Sequence, residues 1–313
     1  MSFKATLEAL SLLDDAHVDG SKVVSALKSF GISDAVYTRI QGERGHTDFV
    51  RAVIPGSRGK KSGGDAPTLG IVGRLGGIGA RPEMIGLVSD GDGAVTAVAA
   101  AIKLAVMQSK GDVLAGDVIA STHICPNAPT QPHEPVPFMG SPVDVGAMNE
   151  YEVSSEMDAI LSVDTTKGNR MINHRGFAIS PTVKEGYILR VSEDLLGIML
   201  ITTGKPPVTF PITTQDITPY GNGVFHLNSI LQPSTATSAP VVGVAITTET
   251  AVPGCATGAS HAVDIEEAVR FAVEVAKVYG AGKCSFYDKD EFARLVLLYG
   301  PMTHLQTLGK SRE

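Results

Sequence analysis

From Thr68 to about residue 280, short apolar runs of strand length alternate with longer stretches of helical periodicity. Strands are predicted near 68–73, 117–123, 158–163, 175–180, 186–190, 207–212 and 239–247, and helices near 94–108, 143–151, 192–203, 222–231 and 264–279. Parallel neighbours need long crossovers, and helices supply them. The pattern therefore predicts an α/β fold with a mainly parallel, helix-flanked sheet. Open sheets of this kind keep ligands above the C-terminal ends of their strands, so polar residues at those ends are the first functional candidates.

Upstream, Phe3–Leu13 and Ser21–Phe30 have helical spacing, with Gly31 as a stop, and Ala35–Ile40 and Asp48–Ile54 read as a hairpin around Gln41–Gly45. The Gly- and Ser-rich stretch Pro55–Ala66 reads as a connector. Residues 1–66 are thus expected to pack on a catalytic-type α/β unit spanning 67–313. Near the end, helix 264–279 has Asp264 as its expected N-cap and Gly280 as its stop, and Pro301 is expected to break a last helical stretch, 289–308.

The net charge of −7 leaves no basic footprint for nucleic acid, and no apolar run approaches the roughly 20 residues of a membrane span. The start, Met1-Ser-Phe-Lys-Ala-Thr-Leu-Glu, lacks the apolar core of a signal peptide. Three cysteines show no framework spacing, so reduced thiols in a cytoplasmic protein are expected. A small-molecule or peptide partner follows, with no nucleic acid and no membrane; a homo-oligomer is the expected assembly.

Four polar residues stand at or near predicted strand ends or in the turn that opens a helix. Asp90 lies in Ser89-Asp-Gly-Asp-Gly-Ala, a Gly-rich turn before helix 94–108, where Asp92 is suited to capping. His123 closes strand 117–123 and leads into a loop with His133, Glu134 and four prolines. Asp164 closes strand 158–163, where a carboxylate needs a partner, a cation or an Asx turn. His261 follows strand 239–247 and a Gly-rich loop that holds Cys255, a nucleophile candidate. Two Asp and two His converging on one sheet edge have the ligand chemistry of a zinc-type site. Gly73-Arg-Leu-Gly-Gly-Ile-Gly79 fits neither G-x-G-x-x-G nor a P-loop, so its glycines read as a tight turn and Arg74 as an anion-holding or surface residue.

Taken in order, these residues resemble the metal-dependent aminopeptidases, the zinc exopeptidases of the aminopeptidase and glutamyl-aminopeptidase type. Asp90 with its glycines is similar to that family's bridging-Asp turn. Asp164 in Ser-Val-Asp-Thr-Thr is similar to its later metal Asp, and Ser260-His261 before Asp264-Ile-Glu-Glu to its last ligand and helix. Gly221-Asn-Gly-Val-Phe-His-Leu is similar to its penultimate turn. The chain departs from the pattern where Gly73-Arg74-Leu-Gly76 replaces His-x-Asp and where Ser121-Thr122-His123 replaces Glu-Glu. Over its whole length the chain also resembles a prokaryotic family known as a domain of unknown function.

The resemblance implies a zinc-exopeptidase-like fold and a metal-dependent, hydrolase-like enzyme acting on a small peptide, amino-acid derivative or amide. A divalent cation, zinc first, would be held by Asp90, Asp164, His261 and His123. His123 would alternatively serve as acid–base, with Arg74 holding a substrate carboxylate. The alternative is a metal-free binding or regulatory protein that kept the fold and lost catalysis.

Overall fold

The alternation from Thr68 onward resolves into one large sheet. A computed structural model describes residues 2–74, 78–79, 86–134, 136–218, 224, 228–252 and 257–309. In chain order the elements are α1 (Phe3–Leu13), α2 (Gly20–Ser29), β1 (Asp34–Gly42), β2 (Gly45–Ile54), β3 (Leu69–Gly73), α3 (Asp92–Ser109) and β4 (Val118–Ile124). A two-strand ribbon, β5 (Thr130–Gln131) and β6 (Phe138–Met139), precedes α4 (Val145–Glu152) and β7 (Ala159–Thr165). Then come β8 (Gly176–Ile179), β9 (Val183–Lys184), β10 (Tyr187–Ile188), α5 (Glu193–Thr203), α6 (Asn228–Leu231), β11 (Val241–Thr247), α7 (Ala262–Gly280) and α8 (Lys289–Tyr299).

The main sheet has the order β1-β2-β4-β3-β7-β11-β9-β10, with β8 also pairing β11. Its centre, β4-β3-β7-β11, is parallel throughout, as the crossover argument requires. The flanking pairs β1–β2, β2–β4, β8–β11, β9–β11 and β9–β10 are antiparallel, so the sheet is mixed at its edges. Through β2 the N-terminal hairpin extends this same sheet.

Strand parity assigns the two faces. Ile71, Ala120, Leu161 and Val244 point into a core shared with α1, α3 and α7. Val72, Ile119 and Ile160 point the other way, packing with Val53, Met157 and Val241. Helix α3 touches the sheet as well as α1 and α7, which accounts for an Ala/Val sequence that is apolar around most of its circumference. Among the described residues no helix is long and apolar enough to cross a membrane.

Several local expectations are corrected. Segment 207–212 forms no named strand; Pro206, Pro207 and Pro211 lack ladder donors, and only a bridge from Thr209 to Ile179 remains. Helix α7 begins at Ala262 with His261 at the cap position, so Asp264 lies inside its first turn. It runs through Gly280, and the left-handed residue after it is Gly282. Helix α3 begins at Asp92 after a 3-10 turn, Ser89–Gly91, which moves Asp92 from the cap into the helix. Pro301 does separate α8 from a short 3-10 turn at Thr303–Leu305. Cys255, residues 75–77 of the Gly-rich turn, and most of 221–227 lie outside the described residues.

Candidate active site

Strand β3 pairs Gly73 with Thr122 of β4 and with Val163 of β7. One step further along each strand stand Arg74, His123 and Asp164, so register alone puts these three in one row at the C-terminal edge. Parity puts them on the face of Val72, Ile119 and Ile160. Hydrogen bonds agree with the row: Arg74 N–H donates to the Val163 carbonyl at 2.7 Å, and the Thr122 hydroxyl donates to the Gly73 carbonyl at 2.8 Å.

Helix α4 crosses this face and delivers Glu152 from its last turn. The Arg74 guanidinium donates through Nη1 to Glu152 Oε2, and His123 Nδ1 lies 2.5 Å from Glu152 Oε1. Arg74 and Glu152 are each 1 % exposed, His123 3 % and Asp164 2 %. Burial works against the Glu152 charge, yet the charges of Arg74 and His123 outweigh it and hold this carboxyl below the ordinary glutamate range. Asp164 behaves oppositely. Burial pushes its carboxyl well above the ordinary aspartate range; Arg74 and the Thr165 N–H oppose that, while Asp90 and Glu152 add to it. Two buried carboxyls in one cluster are thus shifted in opposite directions.

A second network lies on the α3 side of the same edge. Asp92, fully buried, accepts from Lys167 Nζ at 2.8 Å and from Ser260 Oγ at 2.6 Å, and His261 acts on its charge. Burial raises the Asp92 carboxyl, with Lys167 as the first opposing charge. Helix α3 comes this close because residue 93 is glycine. A Cβ there would sit 2.2 Å from the Arg74 carbonyl oxygen and 2.6 Å from that of Val163.

The sequence-predicted residues therefore divide between two adjoining networks. Arg74, His123, Asp164 and the charge of Asp90 belong to the first. His261 belongs to the second, exposed, with Nδ1 3.2 Å from Asp264 Oδ2. Arg74 is committed to a buried ion pair, not presented on an open surface. Among the described residues no three His, Cys, Asp or Glu side chains come together as a metal-ion site. His133 and Glu134 are exposed beside the β5–β6 ribbon. Cys125 is buried, its thiol pushed up by burial to about 11, which makes it inert.

The family described as protein of unknown function (DUF1177) matches residues 38–309. The chain belongs to this family. None of the curated proteins matches it. Among solved structures, this DUF1177 chain is similar to "Bottromycin maturation enzyme BotP in complex with Mn". The identity is 15 %, the alignment covers 87 % of this chain and 71 % of that one, and the TM-score is 0.48.

Glu152 and Lys167 of this DUF1177 chain were not among the residues singled out from sequence. Glu152 carried one usable signal: it stands four residues after Met148 and shares its buried helix face. Lys167 carried a weaker one, being the cation of a polar loop that begins at Asp164.

Proposed function

We propose that the protein is a hydrolase-like enzyme acting on a small peptide, amino-acid derivative or related amide, on a fold of the zinc-exopeptidase type. The observation that carries this reading is the buried Arg74–Glu152–His123 chain standing in one register row with Asp164. The order β4-β3-β7-β11, the acidic turn before α3 and His261 before α7 support the fold type.

An ionised Glu152 accepts hydrogen bonds only, so its contact places the proton on His123 Nδ1 and directs proton exchange to Nε2. Arg74 acts as a positioning residue that keeps Glu152 ionised. Asp164, two strand spacings away (about 10 Å between backbones), has its carboxyl pushed upward by burial and is the donor. His123 takes a proton from water as its oxygen attacks the carbonyl carbon. The carbon–nitrogen bond then breaks, and the leaving amine takes the Asp164 proton. A water then carries the proton now on His123 to Asp164, which resets both groups before the next turnover.

The resemblance implies a divalent cation at this site. Asp90 and Asp164 repel one another, as carboxyls sharing an ion would, but the remaining candidates do not complete a three-ligand group among the described residues. The donor set does not fit a protein-saturated zinc site, and no step above passes through a metal. One observation favours the second reading, a metal-free binding protein: Arg74, Glu152 and His123 are already joined to one another within the protein. Release of amine from dipeptides, N-acyl amino acids and simple amides, measured with chelator and with added zinc, manganese or cobalt, tests the proposal. Hydrolysis abolished by His123→Gln supports it; inactivity on all of them under every condition leaves the binding protein.

A further inference from the structure

At the same sheet edge, one strand beyond Asp164, a cleft of about 480 Å³ opens between the end of β11, the start of β8, the end of α5 and the first turns of α7. His174, Arg175, Lys205, Glu249, Asp264 and Glu267 line it. Its volume falls in the range that takes small organic ligands. The walls are charged and partly paired: Lys205 Nζ donates to Glu267 Oε1 at 2.7 Å.

Asp264 has one oxygen outside this pairing. Its side chain is 3 % exposed, yet Oδ1 has no hydrogen-bond partner among the described residues. Its other oxygen faces His261. Among the described residues the cation beside Oδ1 is Arg175, Nε at 3.5 Å, outside hydrogen-bonding geometry, on a side chain that is 62 % exposed and so free to swing. A buried carboxylate oxygen without a donor is costly, and a charge-assisted donor would remove that cost. Among the described residues, three carboxylates against two permanent cations in the wall favour a ligand that brings a positive group.

We infer that this cleft binds a small zwitterion, an α-amino acid or the free-amine moiety of a short peptide, with its ammonium on Asp264 and its carboxylate on Arg175. The ammonium takes the place beside Oδ1 over which Arg175 now lies, and the released guanidinium meets the ligand carboxylate. The exchange conserves charge within the cleft, which a plain amine or a plain acid does not do. Binding here requires no catalysis in the neighbouring cluster.

Titration calorimetry with L-alanine and L-leucine, which contain no amide to cleave, tests this without reference to hydrolysis. Each is compared with its deaminated acid and its decarboxylated amine, on wild type and on Asp264→Asn. Saturable binding of an amino acid is expected, weakened about tenfold or more by loss of either charged group. Asp264→Asn should weaken the amino acid similarly and leave the deaminated acid unchanged. Three results overturn the inference: no saturable binding of either amino acid, equal affinity for all three ligand types, or unchanged amino-acid affinity in Asp264→Asn. Should that variant fail to fold, the ligand series on wild type decides alone.

Discussion

Glu152 Oε1 lies 2.5 Å from His123 Nδ1, although the two residues come from a helix end and a strand end that are 29 positions apart. The second oxygen of the same carboxylate accepts from Arg74, so one buried side chain fixes both a ring and a guanidinium. The three strand-end residues alone would leave an uncompensated cation in a dry site, and α4 supplies the countercharge.

Removing that countercharge should therefore be severe. Glu152→Gln leaves the buried Arg74 without the Glu152 countercharge and is expected to lower unfolding free energy by about 3–5 kcal/mol. Replacing both members, Glu152→Leu with Arg74→Met, should recover a large part of the loss. Urea denaturation of wild type and the two variants checks this; a loss below about 1 kcal/mol for Glu152→Gln would mean the pair is not buried as described.

Asp164→Asn should do the reverse near neutral pH. The folded pKa of Asp164 is raised above the ordinary 3.8, so the fold favours its protonated form. That contribution is complete below the ordinary value and is lost as pH rises through the folded one. Glu152, with a lowered folded pKa, contributes stability above the ordinary 4.5 that is lost as pH falls. In chelator-treated protein the Asn variant should gain about 1–3 kcal/mol near pH 7.5 and lose that gain near pH 3.5. Thermal melts across this range would refute the account if wild type and variant stayed parallel.

How far the sequence reaches can be seen from these same residues. Arg74, His123 and Asp164 were legible because each follows or closes an apolar run, and parallel register then aligns them without further information. Glu152 was not, because α4 is too short for its apolar stripe to separate a buried Glu from the solvated Glu150 beside it. Asp92 was read as a cap because Asp before a helix usually is one; a 3-10 turn shifts the helix start and frees its carboxylate for Lys167 and Ser260. The start of α7 is expected at Asp264 from sequence but lies three residues earlier, so His261 takes the cap position and Asp264 the first turn.

Gly93 offers a test of how tightly α3 is seated. An added methyl would overlap two carbonyl oxygens on separate strands, and backbone atoms cannot yield as a side chain can. Gly93→Ala is expected to cost about 3 kcal/mol or more. Gly197→Ala, where the added methyl meets nothing within 4 Å, should be neutral or stabilising. Equal melting temperatures for the two variants would show that the helix does not approach the strand ends this closely.

Lys167→Met should make stability depend on pH in a way that identifies its partner. Asp92 is buried and its carboxyl already raised, with Lys167 the first charge opposing that rise. Without the ammonium, the ionised form of Asp92 has Ser260 and more distant charges only, so its folded pKa climbs further above 3.8. The variant should therefore lose about 3 kcal/mol near pH 8, where Asp92 must give up its proton or remain neutral against bulk solvent, and less near pH 5. Lys167→Met combined with Asp92→Asn removes the titrating group, and its stability relative to wild type should hardly change between the two pH values. Chemical denaturation at both pH values separates these outcomes: a single variant as stable at pH 8 as at pH 5 would mean that Lys167 neutralises some group other than Asp92.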